Sequence, residues 1–161
     1  MLDEAIKAVY SNDLNLLRII TKEGRNINHL DDDGRTILMH AILSEKNDLD
    51  IVKFILDCGA DVNLHDGEQR WTALHFASRD QQKEIVQLLL ESGADPNTVE
   101  CFGNTPLSRA LNKVPINFEI IKLLLDYGAN PTVKNNYGNS PLDTANLIGN
   151  KELIDIFIKY L

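Results

Sequence analysis

Residues 71–97, W-T-A-L-H-F-A-S-R-D-Q-Q-K-E-I-V-Q-L-L-L-E-S-G-A-D-P-N, read as two short helices and a stop. The hydroxyl of Thr72 can accept an amide hydrogen bond at a helix start, and Ala77 and Ser78 are small where a neighbour must come close. Ile85, Val86, Leu88, Leu89 and Leu90 then form an apolar stripe at helical spacing. Gly93 ends that helix, because the residue after a helix often takes the left-handed conformation that glycine adopts cheaply.

Working outward, the helix-ending glycines Gly24, Gly59, Gly93 and Gly128 fall at spacings of 35, 34 and 35 residues, which is a repeat period. The text around them agrees: E-G-R-N-I-N at 23–28, C-G-A-D-V-N at 58–63, S-G-A-D-P-N at 92–97 and Y-G-A-N-P-T at 127–132. A second block recurs in step, as D-G-R-T-I-L-M-H-A at 33–41, R-W-T-A-L-H-F-A at 70–77, F-G-N-T-P-L-S-R-A at 102–110 and Y-G-N-S-P-L-D-T-A at 137–145.

These blocks resemble the ankyrin repeat, D-x-x-G-x-T-P-L-H-x-A followed by a turn and a helix ending in V-x-x-L-L-x-x-G-A-D-x-N. The resemblance covers essentially the whole chain. It implies an all-α solenoid of stacked helix-turn-helix units with projecting β-hairpin loops. The expected organisation is one domain over 1–161, with units at 1–30 (N-terminal cap), 31–65, 66–99, 100–134 and 135–161 (C-terminal cap).

The residues themselves support this. Thr36, Thr72, Thr105 and Ser140 cap a first helix, and Pro106 and Pro141 occupy its first turn, where a missing N–H costs nothing. Leu38, Leu74, Leu107 and Leu142 face a neighbour, and Ala41, Ala77, Ala110 and Ala145 permit close packing. The first unit starts directly in a helix, with Leu2, Ala5, Ile6, Ala8 and Val9 inward and Asp3, Glu4 and Lys7 outward. The last has a Gly149-Asn150 turn and then Leu153, Ile154, Ile156, Phe157, Ile158 and Leu161. With no visible linker or tail, the array is expected to be the entire functional unit.

Departures from the pattern carry more about function. From the small alanine to the closing glycine the count is 16 in the third unit (Ala77 to Gly93) but 18 in the second and fourth, so the turns at 44–50 and 112–118 are enlarged and project on the same side. The loop before Thr72 reads D-G-E-Q-R-W, with one extra residue and Arg70 where the glycine belongs. Gln81-Gln82 likewise replaces the usual turn glycine.

A net charge of −8 and a pI near 4.9 disfavour phosphate backbones, so nucleic acid is not an expected partner and a protein with a basic surface is. Cys58 and Cys101 fall at non-equivalent positions and read as free thiols of a reducing compartment. The acidic start M-L-D-E and the absence of a long apolar run give the expectation of a cytoplasmic chain without membrane contact, monomeric when free.

Chemistry is hard to find. His75 takes the position where the resemblance implies a ring hydrogen-bonded to neighbouring backbone, while His40, displaced by one with Met39 in its place, is either buried or turned to the groove. There is no C-x-x-C, H-E-x-x-H or D-x-D-x-D-G loop, and the isolated glycines make no phosphate cradle. D-D-D at 31–33 reads as a solvated loop tip. The expectation is no enzyme, no metal and no cofactor.

In the fold the resemblance implies, partners meet the loop tips and the groove side of the first helices. The candidate protein-binding residues are Asp32, Asp33, Arg35, Glu68, Gln69, Arg70, Trp71, Arg79, Phe102, Asn104, Asn112, Tyr137 and Asn139, with Asp80, Cys101, Lys113 and Asn136 beside them. Trp71, Phe102 and Tyr137 fall on consecutive loops, either as exposed anchors or as rings packed between loops. Asp31, Asp32, Asp33, Glu68, Asp80 and Glu100 would flank that row and attract a basic partner, or serve only solubility. The leading functional expectation is a non-catalytic binder that inhibits its partner, such as a bacterial immunity protein that neutralises a toxin. The alternatives are an adaptor or scaffold, a host-directed modulator and, behind these, an enzyme.

Overall fold

The structure is a computed structural model that describes residues 2–22, 26–46 and 48–161, with the side chains of Leu2 and Asp3 left aside. The expectations for Gly24, for Leu2 and Asp3, and for Asn47 of the first enlarged turn fall outside what is described.

Among the described residues there are ten helices and no strand. They run as five antiparallel pairs: α1 (Leu2–Ser11) with α2 (Leu14–Lys22), α3 (Ile37–Leu43) with α4 (Leu49–Asp57), α5 (Ala73–Arg79) with α6 (Lys83–Glu91), α7 (Pro106–Ala110) with α8 (Phe118–Asp126), and α9 (Pro141–Leu147) with α10 (Lys151–Ile158). First helices follow one another in a row, α1 on α3 on α5 on α7, and second helices form a parallel row, α4 on α6 on α8. This is the all-helical solenoid that the repeats imply.

Local sequence sets each start and stop. Thr36, Thr105 and Ser140 accept the amides of Met39, Ser108 and Asp143 at 3.1–3.3 Å, each capping a first helix. The close-packing alanines Ala41, Ala77, Ala110 and Ala145 are all buried, as are Leu38, Leu74 and Leu107. Burying each such leucine contributes about 1.5–3 kcal/mol. No pair has enough apolar surface of its own, so its core is completed by its neighbours.

Two polar ladders fix the spacing between pairs. On one edge, Asn28, Asn63 and Asn97 each reach across: Nδ2 donates to the carbonyls of Gly59, Gly93 and Gly128, and Oδ1 accepts the amides of Asp61, Asp95 and Asn130. The fourth equivalent, Thr132, bonds only locally to Asn130. On the other edge, successive loops are joined by single backbone bonds, from Gly67 to Asp33, Cys101 to Gln69 and Asn136 to Phe102, at 2.9–3.2 Å. The closest loop approach explains one glycine pair: a Cβ on Gly34, which has φ +71°, would lie 2.3 Å from the Gly67 nitrogen.

The projecting loops were expected as β-hairpins. They form no strands among the described residues: each is closed across its base by one amide-to-carbonyl bond, such as Asp31 to Arg35 and Glu100 to Asn104, and three of the four add a turn bond, from Gly34 to Asp31, Gly103 to Glu100 and Gly138 to Asn135, which is too short a ladder for strands. The left-handed turn positions expected of glycine are filled by Asn12, Arg70 and Gln81, at φ 62°, 59° and 61°. Gln81 offsets that conformation by donating to the carbonyls of Ser78 and Ala110, and Gln82 donates back to Ile42.

Asn97→Ala removes two interpair bonds of 2.8 Å at a solvent-exposed edge. It should lower unfolding free energy by about 1–2 kcal/mol in urea denaturation, with the helical content of the native state unchanged.

Candidate functional site

The loop row and the first-helix groove are built around one acceptor per loop. Asp31 accepts the amides of Asp33 and Arg35, Glu100 those of Phe102 and Asn104, and Asn135 those of Tyr137 and Asn139. Asp66 does the same with Gln69 and Trp71, one residue further along, which is how the longer third loop keeps its register. Sequence reading gave Asp31 and Glu100 to partner attraction and did not single out Asp66 or Asn135. The available signal was an acceptor recurring five or six residues ahead of each Thr or Ser cap.

Consequently several acidic residues are spent internally. Glu100 is 3% exposed and also pairs with Arg109 at 3.1 Å. Burial pushes its carboxyl upward, but the Asn104 and Phe102 amides, the Asn104 side chain and Arg109 outweigh it and hold the pKa below the ordinary value. Asp31 behaves alike: burial raises it, and the Arg35 amide and His40 bring it down further. Asp32, Asp33 and Glu68 remain exposed on the loops.

The row of three aromatics divides. Phe102 and Tyr137 are exposed, 44% and 71%, and stack with centroids 6.5 Å apart and planes at 23°. Trp71 is not on a tip. It is 4% exposed, and its ring packs 5.0 Å from Phe76 and 5.9 Å from His75. The inserted residue lies earlier in the loop, which sets Trp71 immediately before the helix cap, the place that Arg35, Asn104 and Asn139 hold in theirs. Two guanidiniums close over it, Arg109 at 4.5 Å and Arg79 at 5.1 Å from the ring centroid. Arg109 was missed in the sequence, although it holds the place of His40 and Phe76 immediately before a packing alanine.

Of the other candidate residues, Gln69, Arg70, Asn112 and Asn139 are exposed, and Arg35, Arg79 and Asn104 are half-buried. Asn104, Asn112 and Asn139 line a polar cleft of about 320 Å³ with Ser108, Thr144 and Leu147. The structure thus brings Trp71 and Arg79 together, sets Asn104 with Asn112 and Asn139 on the polar cleft, and leaves Phe102 and Tyr137 exposed on the loops. Asp32 and Asp33 lie on an earlier loop.

Both histidines weighed as chemistry are tied into the frame. His75 Nδ1 accepts the Thr72 amide at 3.2 Å and its Nε2 donates to the Asn104 carbonyl at 3.1 Å, joining one loop to the next. His40 is buried: Nε2 lies 2.6 Å from Asp31 and Nδ1 3.1 Å from the Tyr10 hydroxyl. Cys58 and Cys101 are free and exposed. The Cys101 thiol is shifted upward, first by desolvation and then by its hydrogen bond to Glu100, the opposite of nucleophile activation. Among the described residues no three His, Cys, Asp or Glu side chains converge as metal ligands, and no helix is long and apolar enough to cross a membrane.

Desolvation lowers the pKa of His75 from 6.5 to about 4. Below pH 6.5 the unfolded chain binds a proton that the folded one refuses, so stability falls as pH drops toward 4, by up to about 3 kcal/mol in all. His75→Gln, which keeps an acceptor for Thr72 and a donor for Asn104, should flatten the pH 5–6.5 part of that curve in urea titrations. Trp71→Ala should cost about 3–5 kcal/mol of stability in the same assay, since it empties a buried site rather than trimming a surface.

A family model of ankyrin repeats in three copies matches residues 5–100, and a single-repeat model matches 102–136. The chain is similar to an ankyrin repeat protein of fowlpox virus, 35% identical over 101 residues, which are 63% of this chain and 23% of that one. It is also similar to an ankyrin repeat protein of Rickettsia bellii, 35% identical over 106 residues, 65% of this chain and 58% of the other. A stretch of 70 residues is 41% identical to the human 2-5A-dependent ribonuclease and covers 9% of it. The matched stretches therefore span less than two thirds of the length of each of these relatives. Ankyrin repeats are in general non-catalytic protein-interaction modules, although some relatives are enzymes that carry them. Stacked helix pairs and matched repeats agree: this chain belongs to the ankyrin repeat family.

Proposed function

We propose that the protein acts by occupying a partner protein and inhibiting it, through the loop row and the adjoining groove. The observation that carries this is the exposed Phe102–Tyr137 stack, two aromatic faces held parallel on loops whose backbones are already hydrogen-bonded to each other. Aromatics presented on a rigid support bury much area at small entropic cost, as interface anchors do. Asp32 and Glu68, exposed on the rim, supply the attraction for basic side chains around the contact, with Asp33, which pairs with Arg35 at 3.6 Å, beside them. An immunity protein that blocks a cognate toxin is the specific form of this reading. The adaptor alternative draws on the ribonuclease match, in which the similar stretch is a small part of a much larger protein.

The test is capture of a partner from the native organism, followed by calorimetry with the captured protein. Phe102→Ala with Tyr137→Ala should weaken binding by at least ~2 kcal/mol with little change in melting temperature. Co-expression with the product of the adjacent gene examines inhibition: protection from a toxic product supports it, and a complex without protection leaves binding and removes the immunity role.

A further inference from the structure

Around the groove floor, buried polar atoms of both kinds lack a partner among the described residues: the N–H groups of Arg35, Trp71 and Arg109, which donate and never accept, and Ser78 Oγ and Gln81 Oε1, which can accept. The nearby carboxylates of Asp66 and Glu100 are buried and taken up by loop amides.

Arg79 stands at the open side of this floor. Its guanidinium lies 5.1 Å from the Trp71 centroid and 5.4 Å from that of Phe76, which fixes its plane, while its side chain stays 40% exposed. Its Nε and one Nη each donate to the carboxylate of Asp80 at 2.7 Å, in a two-pronged pairing. The other Nη has no hydrogen-bond partner among the described residues. Asp80 is itself 34% exposed, so a second carboxylate can reach the pair from solvent and exchange with it. Just beyond Asp80, Gln81 shares a cavity of about 420 Å³ with Lys113, an exposed cation without an ion-pair partner among the described residues.

We propose that Arg79, supported on Trp71 and Phe76, is a docking point for an aspartate or glutamate side chain of the partner, and that Asp80 holds the place of that side chain when the partner is absent. The inference rests on the groove being the partner-binding face. It deepens that reading: the contacted surface carries a carboxylate at its centre, with Lys113 beside it, and the basic side chains attracted by Asp32, Asp33 and Glu68 lie at its edge. Planar pairing with a stacked guanidinium favours carboxylate over a neutral amide of the same shape.

The probe is a blocked alanine pentapeptide with a central glutamate, compared with its glutamine and phosphoserine counterparts. Binding is read from the Arg79 Nε–H resonance and from the fluorescence of Trp71, the single tryptophan. In Asp80→Asn, the glutamate peptide should bind saturably and at least fivefold more tightly than in the unsubstituted protein. The glutamine peptide should bind at least tenfold more weakly, and Arg79→Gln should remove the response while keeping the native far-ultraviolet spectrum. If Arg79→Gln does not fold, Arg79→Lys, which retains charge without the fork, should lose most of the response. No saturation up to about 50 mM, weaker than the weakest specific binding of interest, overturns the proposal. So do equal binding of the glutamine peptide, no gain from Asp80→Asn, or a response to phosphoserine alone. Partner capture that depends on Phe102 and Tyr137 while these peptides fail would refute this inference and leave the binding function standing.

Discussion

Each helix pair buries its inner stripe only against the next pair. Ordering one residue costs about 1–2 kcal/mol of backbone entropy, and a five- to ten-residue helix with one apolar face does not recover that alone. The structure answers with contacts that recur along the array: a leucine on the first helix, an alanine beneath the neighbouring helix, an asparagine across one edge at the first three junctions and a backbone bond between loops at the last three. These contacts are interdependent. The asparagine bridges hold the second helices at the separation at which the alanines can meet, and the loop bonds hold the first helices in line.

The candidate site inherits its rigidity from this scheme. Loops without secondary structure are ordinarily mobile, yet here every one is closed by an internal acceptor and sewn to its neighbour. Phe102 and Tyr137 can therefore remain exposed and parallel without collapsing into the groove. His75 extends the same logic inward, since its ring spans from the Thr72 amide to the Asn104 carbonyl. Its neutrality is part of the frame, because a charged imidazole has no acceptor at Nδ1.

Most of the fold was legible because the repeat constrains it: glycine at a helix end, threonine at a start, leucine and alanine at contact points each have one physical use. The site was legible only in part. The sequence places Trp71 on a loop, and a loop residue of that size reads as exposed. Its burial follows from where the inserted residue sits and from Arg79 and Arg109 closing over the ring, neither of which a linear spacing reveals. Acidic residues misled in the same way. Asp31 and Glu100 look like surface charge in a chain of net −8, and their acceptor role appears only when the loop folds back on them.

The bridging glutamines tie the third pair differently from the outer ones. Gln82 holds it to α3 and Gln81 holds it to α7, both through main-chain carbonyls. The outer pairs are clasped side chain to side chain, Tyr10 to His40 and Asn12 to Asp48 on one flank and Tyr160 to Asp126 on the other. A main-chain carbonyl is present whatever residue carries it, so a substitution in a neighbouring pair can delete an outer clasp but not a glutamine one. The pair that carries Trp71 and Arg79 therefore keeps its seating while the side chains of its neighbours vary.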